Sequence, residues 1–351
     1  MSLPEIDRII LARGSEANPG LCDRVRALYP KAHFEEQREA PPSRVTLTSP
    51  PKRTLVLGAM GRVLDVNDEP AMGEQTVCYP YHHFSAVGNC PYDCSFCYLA
   101  GNRGNLRCPA IKLYTNVNEV IAAIRRVADR ATDPVLFYGS KLQDFVALDP
   151  ITRFSETLVP FAAEHPNVRL LFLTKSAVID GFLPRHHAGH TVLSWTLNAA
   201  LVSEAWETGA PSLDERLLAA RRAADAGYEV RFIFMPMLPV PGWQAAYAEA
   251  VDRALRAVRP SRITLGGICM YRSALNAMNR RVGPAFTLLP PRFPRDRYRF
   301  QPEVRTALYA HMLECIGEAD ASIPVSLCLE TPDVWESVGL RPASAPCNCL
   351  L

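Results

Sequence analysis

Between Ile111 and Leu329, apolar runs of strand length alternate with stretches of helical periodicity, and this alternation constrains the fold more than any other property of the chain. The strand-like runs are Ile111 to Tyr114, Val135 to Tyr138, Val168 to Thr174, Thr191 to Leu197, Glu229 to Phe234, Arg262 to Gly267 and Pro324 to Leu329. Helical patterns fall between them at Val117 to Ala131, Ile151 to Glu164, Ser212 to Ala226, Gln244 to Arg259 and Pro302 to Glu318. Ser212 and Glu215 fit an N-capping box, and Gly227 follows the same helix as a natural stop. Strand-helix alternation implies parallel pairing through right-handed crossovers. The economical α/β architecture is a partial (β/α)6-type barrel, in which ligands sit at the C-terminal ends of the strands.

The flanks read differently. Residues 1–75 are broken by proline, with a helical stretch near Leu21 to Leu28 and a β-like run at Arg53 to Leu57, which predicts an N-terminal extension packed on the core. The barrel is expected over 76–330. Residues 331–351 form a short tail ending in Cys347-Asn348-Cys349. A formal charge of +2 gives no strong field for nucleic acid or an anionic membrane. No apolar run reaches spanning length. Met1 to Glu5 carries no secretory pattern, so eleven cysteines point to a reducing, cytoplasmic setting and to metal chemistry.

Cys90, Cys94 and Cys97 lie within eight residues, spaced C-x3-C-x2-C. Such close cysteines cannot all pair as disulfides, whereas three thiolates on one loop converge on a soft metal cluster and leave no local fourth ligand. The plain alternative is structural or redox-sensing zinc, but zinc sites normally offer two pairs of closely spaced ligands.

The loop, with Phe96 just before the last cysteine, resembles that of the radical S-adenosylmethionine (radical SAM) superfamily. Further segments resemble the spore photoproduct lyase branch: Cys90 to Ala100, Tyr114 to Val117, Asp144 to Asp149, Leu171 to Lys175 and Ser212 to Gly242. The resemblance implies a radical SAM barrel holding a [4Fe-4S] cluster on Cys90, Cys94 and Cys97, with S-adenosylmethionine chelated to its open iron. It implies Phe96 and Tyr98 against the adenine side, Lys175 on the carboxylate, Asn198 on the ribose, and Ser140 or Gln143 on the amino group. The branch has a hydrogen-returning cysteine just before Asp144, where this chain reads Tyr138-Gly139-Ser140-Lys141-Leu142-Gln143. It also has a tyrosine pair, of which only Tyr98 remains beside Phe96, and phenylalanine has no hydroxyl to give. The family's hydrogen relay therefore cannot operate unchanged, and Tyr98 is the candidate catalytic residue.

Cys269 and Cys328 follow strand-like runs, and a tail folded back over the barrel mouth would bring Cys347 and Cys349 to them. Four thiols there suit an auxiliary iron-sulfur cluster; buried packing or a terminal redox pair is the alternative. Cys22, Cys108 and Cys315 read as core, and His82-His83 and His186-His187 as loop residues. Arg292 to Phe300 mixes arginine with aromatics, a pattern suited to phosphate or to stacking on a base.

The expected function is an enzyme that generates a 5′-deoxyadenosyl radical and abstracts hydrogen from a small nucleoside or nucleotide, with carbon-sulfur bond formation if an auxiliary cluster is present. A reductant such as flavodoxin or ferredoxin is implied. DNA repair with a different hydrogen donor, and a non-catalytic metal or redox-sensing role, are the other readings.

Overall fold

The computed structural model describes residues 3–67, 76–291, 297–342 and 347–351. Its strands begin with β1 (Arg8–Ala12), β2 (His33–Gln37), β3 (Thr54–Gly58), β4 (Leu64–Asn67) and β5 (Tyr81–Phe84). They continue with β6 (Val87–Gly88), β7 (Ile111–Tyr114), β8 (Val135–Tyr138), β9 (Val168–Thr174) and β10 (Thr191–Leu197). The last five are β11 (Glu229–Met237), β12 (Ile263–Gly267), β13 (Cys269–Met270), β14 (Tyr298–Arg299) and β15 (Val325–Leu327).

The larger sheet has eight strands in the order β15-β12-β11-β10-β9-β8-β5-β4. Pairing is parallel from β15 to β5, and β4 closes the edge in antiparallel fashion. This is the expected partial barrel. One face packs under helices through Phe137, Phe172, Trp195, Phe232, Phe234 and Leu265. The other carries a smaller apolar cluster of Leu136, Tyr138, Leu171 and Val192, followed by Ser194, Arg231, Thr264 and Ser326, all buried. The alternation of Val192 with Leu193 and of Ser194 with Trp195 divides the two faces, because successive strand residues point oppositely.

Three features of the pattern resolve differently. β7 lies in a second sheet, ordered β2-β1-β3-β7-β6, so the N-terminal extension supplies strands that pair with residues beyond 75. The helix expected over Ile151 to Glu164 is two helices, Phe145–Thr152 and Ser155–Glu164, separated by Arg153 at φ 54°. Buried Asp149 causes the break, because it accepts from both the Ser155 amide (2.9 Å) and the Ser155 hydroxyl (2.6 Å) and so caps the second helix. His82 and His83, expected in a loop, form β5, where burial pushes the His83 imidazole down to about 4. The capping box of Leu213–Asp225 is present as read, with Gly227 at φ 87° after it.

Candidate active site

The cysteine loop follows β5 and β6, at the end of the sheet where the parallel strands terminate. Its entry is Asn89, held at φ 68°. The Asn89 side chain donates to Pro109 O and Ala110 O and accepts from the Cys90 amide (2.9 Å), while its main chain bridges Gln143. Lys52, in the short turn before β3, donates to Asn89 Oδ1 and to Cys90 O, so the N-terminal segment clamps the loop from one side. From the other side, Arg281 donates to Cys94 O (2.9 Å) and pairs with Asp93 at 2.8 Å. The amides of Asp93 and Ser95 donate to Thr208 O and Trp206 O. A short 3₁₀ turn, Tyr98–Gly101, then docks on the helix Arg272–Val282.

The three thiols lie within electrostatic reach of one another. Burial pushes the Cys90 thiol well up and the Cys94 thiol to about 12, so a metal entering here displaces protons. Among the described residues, no three Cys, His, Asp or Glu side chains are gathered as the ligands of a single ion.

The other residues singled out in the sequence surround the loop. Lys175 follows β9, with its ammonium 5.9 Å from the Phe96 ring centroid and close enough to bias the Cys94 thiol. It is oriented by Asp144, which caps Phe145–Thr152 and accepts from the Lys175 amide (3.0 Å) and the Thr174 hydroxyl (2.7 Å). Burial nonetheless raises the Asp144 carboxyl above its ordinary value. After β8, Ser140 and Gln143 are both buried, and Ser140 Oγ and Gln143 Oε1 have no hydrogen-bond partner among the described residues. Two buried oxygens left unpaired beside Cys90 fit a ligand that brings its own N–H donors, because such groups are costly to leave unmatched. The donor set therefore fits an amino-acid headgroup on a cluster. Phe96 is buried, whereas Tyr98 is 51% exposed and donates to Lys141 O.

Asn198 sits deeper than expected. It is 1% exposed, donates to Pro236 O (3.0 Å) and Glu207, and accepts from the Tyr247 hydroxyl (2.7 Å), so its amide is committed inside the protein. Behind the site lies Glu207, which sequence reasoning missed, fully buried between Lys175 at 3.6 Å and Arg216. Burial opposes its ionisation, yet Lys175 and Arg216 together hold the carboxyl below the usual range. The available signal was a lone acid just before Thr208-Gly209, which no motif marks.

The second thiol group lies elsewhere than expected and has a further cysteine beside it. The tail does not cover the mouth. It lies against the inner face of the sheet, where Asn348 accepts from Ser194 Oγ (2.8 Å) and its amide donates to Thr264 Oγ1 (3.1 Å). Buried Arg231 requires acceptors, and the tail supplies Asn348 O (2.7 Å) and Leu350 O (2.6 Å). Cys349 packs on the Leu136/Tyr138 cluster and hydrogen-bonds with Cys347. That bond comes first, ahead of Arg262 and Arg231, in bringing the Cys347 thiol down to about 7 against the effect of burial. Cys78, passed over in the sequence, lies near Cys328 because Val77 pairs with Glu330. Cys269 is also within electrostatic reach of Cys328 and takes a hydrogen bond from Arg297 at 3.7 Å. Cys22 and Cys108 are buried as read, and half-buried Cys315 contacts His311. Of the arginine-aromatic stretch, 292–296 lie outside the described residues; Arg297 stands 4.9 Å from the ring centroid of Tyr271.

Comparison with known proteins gives a consistent result. The family model for spore photoproduct lyase matches residues 49–270. The spore photoproduct lyase of Geobacillus sp. (strain Y412MC61) is 28% identical over 250 residues, covering 70% of this chain and 68% of that protein. The Bacillus subtilis (strain 168) lyase is 29% identical over 237 residues, covering 66% and 63%. Among solved structures, a spore photoproduct lyase with a cysteine-to-serine change superposes with TM-score 0.78 at 21% identity, covering 92% of this chain and 98% of that one. A doubly substituted spore photoproduct lyase with bound AdoMet and dinucleoside spore photoproduct matches at TM-score 0.78 and 20% identity, with the same coverage.

Proposed function

The chain belongs to the spore photoproduct lyase family of radical SAM enzymes, and from that premise we propose that Cys90, Cys94 and Cys97 hold its cluster and that its substrate is a nucleoside or nucleotide. When bound, the reduced cluster and S-adenosylmethionine supply a 5′-deoxyadenosyl radical that abstracts hydrogen. The observation that carries the reading is the pair of unpaired buried oxygens, Ser140 Oγ and Gln143 Oε1, beside a clamped three-thiol loop.

Each residue then has a defined task. Ser140 and Gln143 accept from the amino group of the cosubstrate. Lys175 meets its carboxylate, because the 3.6 Å pairing with Glu207 is loose enough to release the ammonium, while the tighter Arg216 contact keeps Glu207 charged. Phe96 covers the adenine side, and Asn198 orients Glu207 rather than the ribose. Tyr98, with its hydroxyl on Lys141 O, stands at the rim as the candidate hydrogen-transfer residue. The catalytic unit is the barrel, expected over 76–330 but completed at its edge by β4 from the N-terminal segment, with β1 to β3 in the sheet beside it and 347–351 against its inner face.

Tyr271, 41% exposed and stacked by Arg297, offers a face for a nucleobase and supports a substrate that carries one. The dinucleoside held by the related structure supports the same class. An electron from a flavodoxin- or ferredoxin-type donor completes the reading.

Reconstituted under anaerobic conditions with S-adenosylmethionine and dithionite, the protein is expected to yield 5′-deoxyadenosine. Absence of that product from folded, iron-loaded protein refutes the reading. Lys175→Met should weaken S-adenosylmethionine binding by about 10- to 100-fold, as loss of a hydrogen bond to a charged group does. Its iron content should be unchanged. Unaltered affinity would remove Lys175 from its role. Salt-insensitive, weak binding to DNA is the result expected for a small substrate, since phosphate neutralisation makes DNA binding steeply salt-dependent.

A further inference from the structure

Eleven cysteines are more than one cluster needs, and among those outside the loop two groups contrast. Cys22 and Cys108 are buried singly in apolar surroundings, as small core residues are. Cys78, Cys328, Cys347 and Cys349 come from three distant parts of the chain and are all only half-buried, and Cys328 and Cys349 each lie within electrostatic reach of the other three. We propose that Cys78, Cys328, Cys347 and Cys349 hold a second iron-sulfur cluster against the inner face of the barrel, with Cys269 at its edge.

The supports of these four residues are independent of the cysteine loop. Cys328 follows β15 and is fixed by its amide, which donates to Leu265 O at 2.8 Å. Cys78 is carried there by the Val77 amide on Glu330 O at 2.7 Å, and Glu330 is itself held by Arg305 and the Tyr309 hydroxyl. The tail pair is placed by Arg231, Arg262, Ser194 and Thr264. Four side chains bond residues 347–351, which marks this segment as a placed element. Between the two thiols, Asn348 is 2% exposed and its Nδ2 has no partner among the described residues. An N–H so placed suits a cluster sulfur, and such bonds tune cluster potential. Four thiolates are a complete ligand set for a cube, and thiolate-rich sites select soft metals. The Tyr138 phenol lies within electrostatic reach of Cys349, Cys328 and Tyr98.

The proposal stands apart from the loop's role, so the loop is removed to test it. The full chain carrying Cys90→Ala, Cys94→Ala and Cys97→Ala is reconstituted anaerobically, and iron and sulfide are counted alongside circular dichroism. About four irons and four sulfides per chain are expected, against about eight in the unsubstituted protein. Adding Cys347→Ser and Cys349→Ser should remove them. On the unsubstituted background that tail pair alone should leave about four irons and intact cleavage of S-adenosylmethionine. Should the tail variant misfold, Cys78→Ser in the loop-deleted chain reads the same loss from a site outside the tail. Folded loop-deleted protein without iron overturns the proposal, as does zinc at these thiols. Failure of the loop reading looks different: the unsubstituted protein would then hold only about four irons, and all of them would persist after the three loop cysteines are removed.

Discussion

Replacing Glu207 by Gln tests whether the buried charge behind Lys175 organises the site. The carboxylate is fully buried and is the counter-ion of Arg216, itself 0% exposed, whose other contacts are the carbonyls Pro211 O (2.9 Å) and Thr196 O (3.0 Å). Removing one partner of a buried pair strands the other charge and costs about 3–5 kcal/mol. At about 2.1 cal/mol/K per residue, a 351-residue chain loses about 4–7 °C in Tm for that cost. Melting followed by circular dichroism on metal-free protein at pH 7 reads the shift directly. The native carboxyl titrates below its ordinary value of 4.5, so its contribution is complete above that pH and fades as pH falls through the depressed native value. The gap between the two proteins should thus be widest near neutrality and close in acid. Combining Glu207→Leu with Arg216→Met should destabilise by less than the sum of the single changes, because an apolar pair leaves no stranded charge. A Tm within 1 °C of the unsubstituted protein, or a gap that does not change with pH, would refute the reasoning.

Two other consequences are direct. A Cβ on Gly101 would lie 2.3 Å from the Ala274 amide nitrogen, so Gly101→Ala must push the cysteine turn off the helix Arg272–Val282. Overpacking of this kind costs about 1–3 kcal/mol; the expected readout is a lowered Tm with reduced iron retention, and normal values of both would contradict the contact. Burial lowers the His83 imidazole to about 4, so the folded state resists a proton that the unfolded chain accepts below about 6.5. Stability is therefore lost as pH falls from about 6.5 to about 4, and urea midpoints of His83→Phe should lack that segment of the decline. An identical acid profile in the two proteins would exclude His83 as its source.

The fold was legible where apolar periodicity is strong and both faces of a strand are covered. β9 and β10 sit under helices on one face and against the tail or the Tyr138 cluster on the other, so their sequences read as near-continuous apolar runs. β5 was not legible, because Tyr81-His82-His83-Phe84 owes its strand state to pairing with β8 through His82 and His83 rather than to its own composition. β7 has a strand pattern, but a local pattern does not say which sheet a strand joins. At the site, the loop cysteines were found by spacing and Lys175 by its position after a strand. Glu207 was not found, because its meaning depends on Arg216 and Lys175 meeting it in space. Cys78 was missed for the same reason: its partners are 250 or more residues away.

The tail also limits what the barrel can admit. Ser194, Arg231 and Thr264, which would otherwise line the inner face at mid-strand, are bonded to residues 347–351. That part of the interior is occupied by the chain itself. On the proposed reading a substrate is therefore left the strand ends, where Lys175 lies 5.9 Å from the Phe96 ring centroid. The arginine that orders the tail thus helps define the substrate space without touching it: releasing the tail by Arg231→Met should widen substrate selectivity while leaving 5′-deoxyadenosine formation in the absence of substrate unchanged.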